Sequence, residues 1–173
     1  MIQGADLACV MVVHGRDLAA RDDLFNLLRA LRLRPIEWDE AIRATETGAP
    51  YTGDAVDAAF RIAQAAVVLC TPDEQVMLRK DLRKPDEPAE AQPAWQPRPN
   101  VFFEGGIAFT THPKRTVVLE LGRVRMASDL LGRNTIRVST TSTSWRHSLA
   151  ERLRNCECTD LYPTRTDVAD SAG

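Results

Sequence analysis

The run ACVMVV, residues 8–13, has no polar residue in any alternate position. A strand with one face in water alternates apolar and polar side chains; a continuous apolar run belongs to a strand covered on both faces. Two more runs of the same kind follow, AAVVLC at residues 65–70 and TVVLEL at 116–121. Between them lie segments of helical period. Leu24, Leu27, Leu28 and Leu31 fall at i, i+3, i+4 and i+7, and Val56, Ala59, Phe60 and Ala63 repeat that spacing. Strand and helix in alternation predict an α/β fold: an open parallel sheet with helices on both faces.

The remaining elements are expected as follows. Residues 35–38 (PIEW) make a short second strand, and 39–52 a polar loop. Thr52 or Asp54 caps the next helix. Pro72 ends the strand at 65–70, and a short helix spans 74–82. Five prolines between 80 and 99 predict a long, poorly ordered loop. A helix begins at Asn100, a strand covers 135–138, and a last helix 144–154. The chain after Cys158 reads as a tail or linker stub, so a single domain is expected over 1–158 with 159–173 outside it.

Composition narrows the classes. The 173 residues suffice for one core, and 44% hydrophobic with 27% charged residues is ordinary for a globular chain. A net charge of −2 gives no global basic field for nucleic acid. No apolar run approaches the roughly 20 residues that cross a bilayer, and the N-terminus lacks a basic region typical of a signal peptide. Of four cysteines, Cys9 and Cys70 sit in strand-like runs, while Cys156 and Cys158 lack the further ligands zinc requires. No metal site is expected, and a reducing, cytoplasmic setting fits the free thiols.

In open parallel sheets, ligands bind outside the carboxyl ends of the strands. That rule gathers His14, Gly15, Arg16 and Asp17 after the first strand, the loop from Trp38 through Glu40 to Tyr51, and Thr71 with Asp73 after the third. The helix beginning at Asn100 opens on the same edge and carries Glu104, followed by Gly105 and Gly106. Each glycine weakens a helix by roughly 1 kcal/mol relative to alanine. Either the pair clears space beside an ionised acid, or it lets the helix approach the sheet and Glu104 is simply an acid favoured near a helix start. Arg16 either meets a phosphate or is solvated; His14 either contacts a ligand or anchors its loop. Trp38 either stacks on an aromatic ring or covers the sheet end, and Thr-Pro-Asp is also an ordinary helix-start signal.

The segments VMVVHGRD, RPIEWDEA, AAVVLCTPDE, RPNVFFEGGIAF and RTVVLELG resemble, in this order, bacterial TIR-like domains, and most nearly the TIR effectors of cyclic-nucleotide-triggered anti-phage systems. The resemblance spans about residues 8–155. Its most specific part is Asn100, Val101, Glu104 and Gly106, supported by the HGRD turn and by SDLLGRNTIRV at 128–138; many relatives carry alanine where this chain has Gly105. It implies a flavodoxin-like sheet of five parallel strands, the TIR fold. It also implies hydrolysis of the nicotinamide–ribose bond of NAD⁺, with Glu104 as the essential acid and NAD⁺ as substrate rather than cofactor. The first loop, His14 to Asp17, would lie near the substrate. The stretch between Glu40 and Tyr51 would serve self-assembly into homo-oligomers or filaments through TIR–TIR contacts, with a sensor domain or partner protein giving the trigger. The competing expectations are a non-catalytic TIR-type interaction module and a nucleoside-processing transferase of related architecture.

Overall fold

A computed structural model describes residues 6–86, 91–127 and 134–158. Seven strands and five helices are defined: β1 Asp6–Val13, α1 Leu18–Ala30, β2 Arg34–Pro35, α2 Trp38–Arg43, α3 Thr52–Ile62, β3 Ala63–Cys70, β4 Glu74–Val76, β5 Ala94–Gln96, α4 Pro99–Thr111, β6 Thr116–Leu121, β7 Ile136–Val138 and α5 Ser144–Asn155. Five strands form one sheet in the order β2-β1-β3-β6-β7, and every pairing in it is parallel. This is the expected α/β architecture with flavodoxin-like strand order, and the order reverses at β1.

The apolar runs behave as their composition requires. All of β3 is buried. Val68 and Cys70 face a core with Phe60 of α3 and Val101 of α4, whereas Val67 and Leu69 face a second core with Leu28 of α1 and Leu153 of α5. One layer of helices thus covers each face, which is why β3 carries no polar alternation. Cys156 and Cys158 belong to the second core. Burial pushes the Cys158 thiol up to about 12 and raises that of Cys156, so both act as small apolar groups. Among the described residues, no helix is long and apolar enough to cross a membrane.

Several elements differ from expectation. The second strand is Arg34–Pro35, not 35–38; the Ile36 N–H still donates to the Val10 carbonyl at 3.0 Å before the chain enters α2. The expected loop at 39–52 begins as helix α2, with Asp39 and Glu40 in its first turn and Arg43 in its last, both favoured by the helix dipole. Neither Thr52 nor Asp54 is the N-cap of α3. Tyr51 takes that place, and Asp54 reaches back to accept the Tyr51 N–H at 3.3 Å. The helix expected at 74–82 is instead β4 and a 3₁₀ turn at Lys80–Leu82. β4 pairs antiparallel with β5, inside the stretch expected to be a loop. The expected tail at 159–173, residues 87–90 of the proline-rich stretch and residues 128–133 lie outside the described residues.

Candidate active site

Beyond the carboxyl ends of β1 and β2 lies a cleft of about 240 Å³. Met11, Ile36, Val56 and Ala59 form its apolar floor, and His14, Arg21, Phe25, Glu37, Trp38 and Glu104 complete the wall. The sheet supplies His14 at the end of β1; α1 supplies Arg21 and Phe25; α4 supplies Glu104. A larger groove of about 1140 Å³ beside the β4–β5 ribbon, edged by Trp95, Phe102 and Met126, has no carboxylate in its lining. Acid chemistry therefore belongs to the smaller cleft.

Glu104 is half-buried, and among the described residues its carboxylate makes no hydrogen bond or ion pair. Helix α4 starts at Pro99, so Glu104 is in the second turn, past the reach of the helix N-terminus, which fades within one turn. Burial instead raises its pKa above the ordinary 4.5. The acid expected one turn into the helix thus stands in the second turn, where burial rather than the dipole sets its surroundings.

The two glycines do not open the cleft, since neither lines it. A Cβ at Gly105 would meet Val68 at 3.5 Å, an ordinary contact, so an alanine fits there. A Cβ at Gly106 would meet nothing within 4 Å. Gly106→Ala should therefore stabilise the fold by about 0.5–1 kcal/mol through helix propensity and reduced chain entropy. Urea denaturation would show this as a raised midpoint at unchanged slope.

Of the other expected site residues, the cleft brings together His14, Trp38 and Glu104. His14 Nδ1–H donates to the Gly15 carbonyl at 3.0 Å, leaving Nε2 for other contacts. Trp38 starts α2 and is 50% exposed, with its indole on the cleft rim. Gly15, Arg16, Asp17, Glu40, Tyr51 and Thr71 do not line the cleft. Arg16 is exposed. Asp17 caps α1, its Oδ1 accepting from Ala20 N–H at 2.9 Å. Glu40 pairs with Arg34. Tyr51 is 83% exposed ahead of α3. Thr71 is buried and its hydroxyl donates to Asp73 Oδ2 at 3.0 Å.

Sequence reasoning missed Arg21, Phe25 and Glu37. Arg21 is the cation of the cleft. Its guanidinium lies 5.6 Å from the Phe25 ring centroid and donates to Asp22 at 2.6 Å. Glu37 is the N-cap of α2 and pairs with Arg29, tying α2 to α1. A signal existed for Arg21: it falls three residues before Leu24 on α1, close to the buried stripe. Cys70, at the end of β3, is no nucleophile, because burial, then Glu120 and Asp73, push it up to about 12. Among the described residues, no group of three or more His, Cys, Asp or Glu could hold a metal.

The family model described as CAP12/Pycsar effector protein, TIR domain, matches residues 9–140. No curated protein matches the chain.

Proposed function

The chain belongs to the CAP12/Pycsar effector TIR-domain family, a family of defence effectors, and on that premise we propose that it hydrolyses the nicotinamide–ribose bond of NAD⁺ in the cleft around Glu104. The observation that carries this reading is the half-buried carboxylate of Glu104, which makes no hydrogen bond or ion pair among the described residues and lines a cleft with an apolar floor. A buried acid without a partner costs stability, and a positively charged pyridinium ring entering beside it would offset that cost while favouring the ionised form.

One acid suffices for this bond. Glycosidases acting on ordinary sugars need a second carboxyl group to protonate the leaving oxygen. Nicotinamide departs as a neutral pyridine and needs no proton. Glu104 then stabilises the oxocarbenium-like ribose as positive charge moves onto it, the more strongly the more water the bound ribose displaces. Water adds to the sugar carbon and releases a proton to solvent.

At about 240 Å³ the cleft is smaller than the roughly 300–1,000 Å³ typical of closed ligand pockets. It suits the nicotinamide-ribose end. Arg21 on the wall would meet the pyrophosphate, a role its position favours over Arg16. The adenosine end would then lie over the exposed surface near Trp38 and Tyr51, where a neighbouring copy in an assembly would cover it. Activation by self-association, driven by a sensor domain or partner protein, follows from this reading.

Nicotinamide release should therefore rise more steeply than in proportion to protein concentration, and rise further when the chain is clustered on a multivalent support. Chromatography of the products measures both. No release above that of Glu104→Ala under clustering would overturn the reading in favour of a binding module.

A further inference from the structure

We propose that Asp73 is a positioning residue for the cleft: its carboxylate ties the loop after β1 to the start of α4, and so sets where Glu104 stands. This rests on the reading of Glu104 as the group that cleaves the glycosidic bond. Asp73 Oδ1 accepts the backbone N–H of Arg16 at 3.0 Å and of Asp17 at 3.3 Å. Its Oδ2 accepts the Thr71 hydroxyl at 3.0 Å and the Arg98 N–H at 3.4 Å. Its own N–H lies 3.1 Å from the Gln96 carbonyl, at the end of β5. One side chain thus joins the exits of β1, β3 and β5.

Two of these donors stand at helix starts, Asp17 as the N-cap of α1 and Arg98 as the N-cap of α4. The N-cap amide of each helix thus donates to the same carboxylate. Those helices also both line the cleft, α1 with Arg21 and Phe25 and α4 with Glu104. Releasing the shared carboxylate lets the two walls move independently.

Gly15 carries a second observation. A Cβ built there would lie 2.0 Å from Asp73 Oδ2 and 2.5 Å from its Cγ. The carboxylate cannot turn aside without dropping its donors, so the chain needs glycine at this position. Gly15 therefore serves Asp73 rather than the substrate.

The test uses the whole chain with Asp73→Asn, Gly15→Ala and the double variant, assayed with NAD⁺ well below each melting temperature. Asn turns one acceptor into a donor that faces N–H groups. Each single change should lower kcat by about 10–100-fold, since a displacement of about 1 Å has that scale of effect, while KM changes far less. The double variant should be no worse than the poorer single one, because both break one knot. Melting temperatures that fall while kcat stays at the wild-type level would overturn the proposal, and so would multiplicative losses in the double variant. Should Asp73→Asn not fold, Thr71→Val removes one donor at constant shape, and an unchanged kcat there would equally overturn it. Amide hydrogen exchange gives an answer independent of turnover. Asp73→Asn should speed exchange at Arg16, Asp17 and the first turns of α4 while β6 stays protected. If the wild type shows no Glu104-dependent release, the functional reading fails, and the exchange pattern still decides the positioning role: unchanged protection of α4 overturns it, selective loss upholds it.

Discussion

Glu104→Gln should lose NAD⁺ cleavage by about 10²–10⁴-fold, the scale of removing a group that acts on developing charge or on a proton, and yet melt at a higher temperature than the wild type at neutral pH. The two effects share one cause. Burial raises the folded-state pKa of Glu104 above its ordinary 4.5. Below about 4.5 both folded and unfolded chains hold the proton, and the residue carries no penalty. As pH rises through that value the unfolded chain releases its proton first, so stability falls until the folded-state pKa is passed. Glutamine removes this cost without changing shape. The melting-temperature gap between Glu104→Gln and wild type should therefore be absent near pH 4 and open towards pH 7. A variant that loses activity and melts lower at pH 7 would show that Glu104 is held by partners, not kept unpaired for a substrate. Active sites that trade stability for function behave in the predicted way.

How much of this was legible in the sequence depends on where each element finds its partner. β1, β3 and β6 were legible because burial on both faces writes an apolar run into the chain itself. α1 was legible because its stripe is local. β4 and β5 were not: each has three residues, and each is a strand only by pairing with the other across an intervening segment. α2 is six residues long, too short for a periodic pattern, although its charges followed the dipole. Asp73 is the sharper case. Thr-Pro-Asp reads in sequence as a local helix-start signal, and its acceptor chemistry does serve helix starts. The helices concerned lie 56 and 25 residues away, at Asp17 and Arg98. Glu104 was found through the edge rule for parallel sheets and through family resemblance. Its desolvation was not legible, because the helix start at Pro99 and the apolar cleft floor exist only in the assembled fold.

Phe60→Ala should destabilise the fold by about 3–5 kcal/mol, the range for removing a buried aromatic ring. Phe60 is 1% exposed in the core shared by α3, α4 and β3. Against a total stability of about 5–15 kcal/mol, that is a large share. Its ring also packs at 5.9 Å from that of His112, the C-cap of α4. His112 is buried, with Nε2 3.2 Å from the Ala63 carbonyl. Burial lowers its pKa, with Arg115 acting in the same direction and the Ala63 carbonyl opposing. Because the folded-state value lies below the ordinary 6.5, the unfolded chain binds a proton first as pH falls, and stability is lost below about pH 6.5 until the folded-state pKa is reached. Removing the Phe60 ring opens space beside the imidazole, lets water approach, and relieves part of that penalty. The loss caused by Phe60→Ala should accordingly be greatest near pH 7 and smaller near pH 5, with His112→Gln flattening the wild-type decline over the same interval. Urea midpoints for the four proteins, wild type, both single variants and the double, measure this directly; a loss from Phe60→Ala that is the same at both pH values would show that His112 does not feel the ring.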